Sequence, residues 1–251
     1  MKLRGFLAAG VFIVAAAESS AATIVNDNGS VQVGVSAAVA FLTDSDNVDP
    51  ATGQAFVTLG STPSPSYSVN AIAQSGLDLL PDATGLRLDA TAYVTLSRSA
   101  SEPPANGFAA TEPGREIDFT LEAGRYRVTY TLIGTAVVSG ELPGNNSFAR
   151  GSVSLRNQAE GSLLLDIREF GPDIAGYSVS ESIFIDVEND DILTLNLDNA
   201  AEGFIGGTET DAVVDAFASV EIVLVPEPAS LLGVLLGGVA VLVPRRGSRR
   251  V

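Results

Sequence analysis

The densest group of oxygen ligands in the sequence is Thr43-Asp44-Ser45-Asp46-Asn47-Val48-Asp49. Hard cations such as calcium take about six to eight oxygens brought together by a tight loop, and Asp44, Asp46 and Asp49 are the candidates for that role. The run departs from the EF-hand pattern at two points: Val48 occupies the fifth ligand position, and Asp49 stands where a glycine should make the bend. It reads as a solvated acidic turn between two strands, with a calcium site as the alternative. A pair of carboxylates could hydrolyse a glycosidic bond if the two faced each other at about 5 to 9.5 Å. Twenty-eight acids between Thr23 and Val225 make chance pairings common, so spacing selects no pair. Glu181 is distinctive because it falls on the apolar register of Tyr177, Val179, Ile183 and Ile185. It either points inward, as functional acids often do, or sits near a sheet edge or beside an arginine.

Other chemistries are excluded by composition. The 251 residues include no cysteine and no histidine, and the one lysine is Lys2. Thiol nucleophiles, Ser-His-Asp triads, zinc sites and Schiff-base chemistry are therefore absent. With no disulfide to staple it, the fold must be held by its own core. Six of the 14 basic residues lie in the terminal segments, which leaves eight arginines against 28 acids in the body, a balance of −20. That charge excludes nucleic acid as a partner, since phosphate recognition needs the opposite sign. Aromatic platforms for sugar stacking are scarce, with no tryptophan and five tyrosines, of which Tyr93 is the exposed candidate. No cofactor is expected, and the chain is read as a non-enzyme.

The elements that would position these groups are strands. In Leu86 to Leu96, one face carries Leu86, Leu88, Ala90, Ala92, Val94 and Leu96, and the other carries Arg87, Asp89, Thr91, Tyr93 and Thr95. Such period-two alternation marks a half-buried strand. Tyr126, Val128, Tyr130 and Leu132 alternate in the same way after Ile117, Phe119 and Leu121, and the intervening Glu122-Ala123-Gly124 predicts a hairpin. Leu121 to Tyr126 resembles the L-x-A-G-x-Y strand turn of bacterial surface β-sandwiches, which bears on architecture alone. Further strands are expected at 153–155, 163–167, 177–187, 192–197 and 214–224, with long loops at Ser61 to Ser66 and Ser101 to Gly107. About eight to eleven short strands with one polar face each predict an all-β fold, an antiparallel two-sheet β-sandwich of jelly-roll or immunoglobulin-like type.

Both termini carry membrane-handling patterns. Lys2 and Arg4, the apolar run Gly5 to Ala17 and the small residues Ser20-Ala21-Ala22 have the form of a signal peptide over residues 1–22, cut after Ala22. The ectodomain then spans 23–225. Residues 226–251 comprise Pro226-Glu227-Pro228, an apolar run from Ala229 to Val243, and Arg245, Arg246, Arg249 and Arg250. Fifteen apolar residues fall short of the ~20 that span a bilayer comfortably, which suits a temporary stop. The arginines would stay cytoplasmic, leaving everything before Pro226 on the far side of the inner membrane. Gly233 and Gly237 form a GxxxG pair that could allow close helix packing.

This three-part tail closely resembles the PEP-CTERM sorting signal of Gram-negative bacterial surface proteins. The resemblance covers about the last tenth of the chain. It implies an exosortase-type processing enzyme as partner, a membrane intermediate held by helix 229–243, and delivery to the cell surface or an extracellular matrix rich in exopolysaccharide. Its signature residues are Pro226, Glu227, Pro228, Arg245 and Arg246. The expected role is structural, with a glycan- or calcium-binding module or a carboxylate-based glycan hydrolase as alternatives. Permanent anchoring by an uncut tail is the other reading of the C-terminus.

Overall fold

The computed structural model describes residues 22–226, apart from 38–39, 50–51, 65–66, 82–83, 112–113, 140–146, 173–175 and 189–190. Residues 1–21 of the expected signal peptide 1–22, and the tail 227–251 with Glu227, Pro228, the expected helix 229–243, Arg245 and Arg246, lie outside the described residues. Fourteen strands follow one another: β1 (Thr23–Asn28), β2 (Ser30–Ala37), β3 (Ala40–Asn47), β4 (Gln54–Ser64), β5 (Tyr67–Leu79), β6 (Gly85–Arg98) and β7 (Ala105–Ala110), then β8 (Arg115–Thr120), β9 (Gly124–Ser139), β10 (Phe148–Asn157), β11 (Ser162–Pro172), β12 (Tyr177–Val187), β13 (Ile192–Ile205) and β14 (Asp211–Leu224). Among the described residues no helix is long and apolar enough to cross a membrane.

The strands form two antiparallel sheets. One has six strands in the order β12-β9-β14-β6-β5-β4. The other is forked around β13. On one side β13 pairs with β10, which pairs with the edge strand β11; on the other, Ile192 to Leu197 pairs with β8 and Ala200 to Ile205 with β7. One prong continues from β8 to β1, and the other from β7 through β2 to β3. Alternate residues of both sheets meet in one apolar cluster, including Leu86, Leu88, Val128, Leu132, Leu155, Leu195, Leu197, Val214 and Val220. The alternation in β6 matches the sequence pattern throughout, because a half-buried strand must send every second side chain to the same face.

The fork is filled by polar groups. Asn199, fully buried where the prongs separate, donates from Nδ2 to the Ala216 carbonyl of β14 at 2.9 Å, and its backbone N–H donates to Thr111 Oγ1 at 3.0 Å. Arg115, 1% exposed, makes a two-point ion pair with Asp27, Nε to Oδ1 at 3.0 Å and Nη2 to Oδ2 at 2.6 Å. Its Nη1 donates to Ser75 Oγ on the opposite sheet at 3.1 Å. A fork-to-fork guanidinium–carboxylate pair of this kind fixes orientation as well as charge. Both groups tie the sheets together where apolar packing is interrupted.

Three expectations need correction. Ile117–Leu121 and Tyr126–Leu132 do not form a hairpin: β8 pairs with β1 and β13, whereas β9 pairs with β12 and β14, so the chain crosses from one sheet to the other through Leu121 to Ala123. Leu121 is buried in the crossing, which makes the turn part of the core wall. Ser61 to Ser64 is not a loop but the end of β4, paired with β5 across an irregularity between Ser61 and Ser64. Ala105 to Gly107 likewise belongs to β7, because burial of Ala105 and Gly107 against the core continues the alternation.

Candidate functional site

The acidic run is not a turn. Asp44 and Asp46 lie on β3, an edge strand, and pair with Val33 and Val31, whose side chains are buried. They therefore occupy the inward register of an exposed edge, the position at which charges discourage further strand pairing. Asp46 Oδ2 accepts the Phe56 backbone N–H from β4, the edge of the other sheet, at 2.9 Å, and Asp44 Oδ1 accepts the Ser45 N–H at 2.9 Å. The Asp49 carbonyl accepts N–H groups from Thr52 and Gly53 in the following turn. Among the described residues no group of three or more acids is arranged to hold a metal ion.

Glu181 keeps the register that the sequence gives it but is exposed, because β12 is the outermost strand of its sheet. Its Oε2 accepts the Tyr130 hydroxyl at 2.9 Å. Burial, followed by that bond to Glu181, pushes the Tyr130 hydroxyl above its ordinary pKa. Tyr93 is half-buried in the row Thr135–Asp215–Tyr93 on the outer face of the six-stranded sheet. Burial of its carboxyl end raises the pKa of Asp215, although the residue as a whole is exposed. Ala22 is buried beside the core, with β1 beginning at Thr23, and Pro226 is exposed at the far end.

A larger feature lies on the outer face of the forked sheet. A groove of about 430 Å³ crosses β11, β10 and β13 between Arg150, Asp166, Arg168 and Asp198. Register sets its floor. Asp166, Ser154, Asn196, Glu116 and Asn28 stand side by side on β11, β10, β13, β8 and β1, and Arg168, Ser152 and Asp198 form the next row. Arg150 Nε lies 3.9 Å from Asp198 Oδ2, and Arg168 Nε lies 3.4 Å from Asp166 Oδ1. A second depression of about 570 Å³, bounded by Asp27, Asn28, Asn47 and Glu116, opens over the fork and meets the first at Asn196. Beyond Arg150 on the same face, half-buried Phe148 and Phe108 flank Glu202. These phenylalanines escaped the sequence reading. The available signal was an aromatic residue on the register of Arg150 and Ser152, the polar face of β10.

No family model and no curated protein matches the chain. Among solved structures, the CBM22-1 xylan-binding domain of Paenibacillus barcinonensis Xyn10C aligns with 12% identity over 82% of this chain and 97% of that one, with a TM-score of 0.19. The CBM22-1–GH10 modules of Clostridium thermocellum xylanase 10B, complexed with xylohexaose, align with 19% identity over 55% of this chain and 22% of that one, at 0.20. The enzymatically active domain of bacteriophage CBA120 tailspike protein 4 aligns with 12% identity over 68% of this chain, at 0.21, and this chain spans 19% of its length. Agreement at this level carries no argument about fold or function.

Proposed function

We propose that this is an exported, acidic β-sandwich protein that acts structurally at the cell surface or in the extracellular matrix, and that its C-terminal signal is processed by an exosortase-type enzyme. The observation that carries the reading is where the last strand of the described sheet ends. The ladder of β14 runs on past Leu224, whose N–H donates to the Thr84 carbonyl, to Val225, whose N–H donates to Arg125, and the exposed Pro226 comes next. Pro226-Glu227-Pro228, the apolar run and the arginines thus follow a finished sheet with almost no linker. Two prolines with fixed φ and no N–H favour an extended segment that a processing enzyme can grip. At the other end, removal of residues 1–22 leaves Thr23, the first residue of β1, as the new terminus.

One feature favours a structural role over hydrolysis. Asp215, the acid raised by burial, has Thr135 and Tyr93 as its row neighbours, with no second carboxylate beside it. The fourteen strands among the described residues exceed the about seven to nine of an immunoglobulin-type sandwich, which favours a jelly-roll-like description. Sorting is tested by Glu227→Ala. Glu227 comes after Pro226, beyond the last strand, so the change should move stability by no more than ~0.5 kcal/mol. Unprocessed protein should nevertheless collect in the inner membrane. Normal cutting and surface delivery of this variant would reduce the tail to an anchor and overturn the proposal.

A further inference from the structure

We propose that the outer face across β11, β10, β13, β8 and β1, with its two depressions adjoining at Asn196, is a binding track for a neutral polysaccharide chain. The inference rests on the exported reading above, which brings the face into contact with extracellular polymers. Its dimensions suit a chain. The row Asp166–Ser154–Asn196–Glu116–Asn28 crosses five strands, and four interstrand spacings of ~4.8 Å make a path of about 19 Å. Two depressions lie along that path, one toward β11 and one over the fork, and Asn196 lines both.

The chemistry selects the ligand class. Carboxylate, hydroxyl and carboxamide groups alternate along the row, with the guanidinium groups of Arg150 and Arg168 beside it. Donors and acceptors of both kinds at short intervals match an array of sugar hydroxyls, each of which can donate and accept. Peptide capture by strand addition is disfavoured because β10, β13 and β8 are paired on both sides over this row. The acids along the track outnumber its arginines, and the body carries a balance of −20, so a polyanion is repelled.

The test is affinity electrophoresis of the detergent-solubilised full chain in gels containing dextran, pullulan or arabinoxylan, with carboxymethyl-dextran and diethylaminoethyl-dextran as charged counterparts. At least one neutral polymer should slow migration, equally at about 0.05 and about 0.5 M salt, because hydroxyl hydrogen bonds are not screened as charges are. Ser154→Trp, which fills the middle of the row from the outer face, should weaken retardation at least tenfold, and so should Arg168→Glu at an exposed position. Thr91→Trp on the opposite sheet should leave it unchanged, with all three variants melting as the parent does. Retardation by none of the neutral polymers, retardation only by the cationic dextran, or retardation that survives both groove variants would overturn the track. Because purified chain is used, any of these results leaves the sorting proposal standing.

Discussion

Tyr177→Phe should make this protein more stable. The Tyr177 ring lies over Gly134, its partner across the β12–β9 ladder, and a Cβ added to Gly134 would collide with ring carbon Cε1. A Cβ on Gly151 would meet the Tyr177 hydroxyl at 3.0 Å and a Leu132 methyl at 3.4 Å. The residue is 9% exposed, and its hydroxyl is buried with no hydrogen-bond partner among the described residues. The contrast is with Tyr67, Tyr126 and Tyr130, whose hydroxyls reach Pro104 O, Glu122 O and Glu181 Oε2. An unsatisfied buried polar group costs about 1 to 3 kcal/mol. Removing the oxygen recovers that cost and leaves a void of roughly 15 Å³, which at about 24 cal/mol per Å³ takes back about 0.4 kcal/mol. The net gain is about 1 kcal/mol, or about 2 to 4 °C in Tm for a domain of this size.

Alkaline titration gives the same prediction a second reading. Burial, then the charges of Glu169, Asp198 and Asp215, push the Tyr177 hydroxyl well above its ordinary value of 10.0. The unfolded chain therefore releases this proton first, and stability falls as pH rises above 10. Tyr177→Phe removes that part of the fall, while Tyr126 and Tyr130, also raised, keep the rest. Urea denaturation at neutral pH and at pH above 10 measures both effects. A Phe variant less stable than the parent by 1 kcal/mol or more would refute the reasoning, since it would mean that the hydroxyl is satisfied.

Asp27→Ala strips the carboxylate from the buried Arg115 guanidinium and should cost about 3 to 5 kcal/mol, read from the urea midpoint at unchanged m. Asp211 is held below its ordinary pKa by hydroxyls of Ser97, Thr210 and Ser139, so its contribution is present above the unfolded value and lost as pH falls through the folded one. Asp211→Ala should flatten the acid limb of a melting-temperature profile, and Asp215→Asn, at a site raised by burial, should raise stability at neutral pH. Neither calcium nor a chelator should shift the melting temperature, because Asp44, Asp46 and Asp49 are not gathered into a group that could hold an ion. Replacing Arg245 and Arg246 with uncharged residues should disturb orientation and retention before cleavage, read by protease accessibility of the tail.

How much could be read in advance depends on the kind of information. Strand existence was legible wherever one face is buried and the other wet, as in β6 and β9, because period-two alternation is a local consequence of burial. Partnership was not. The alternation of Ile117 to Leu121 and Tyr126 to Leu132 is the same whether the two strands pair or belong to different sheets, and they belong to different sheets. Asp44 to Asn47 looked like a turn because an edge strand with both sides exposed loses its apolar face. Buried Arg115 and Asn199 gave no local sign, since their partners Asp27 and Ala216 come from distant parts of the chain. The outer groove was invisible for a related reason: Asp166, Ser154, Asn196, Glu116 and Asn28 become neighbours only through register.

Intact-mass measurement of the protein recovered from the surface fraction of its native host tests the central claim most directly, because one spectrum reads both ends of the chain. The account predicts a species that begins at Thr23 and lacks everything after Pro226-Glu227-Pro228, with any added group visible as extra mass at that terminus. A surface species that is mostly full length at its C-terminus, with Arg250 intact, would contradict it and leave a permanent membrane anchor as the role of the tail.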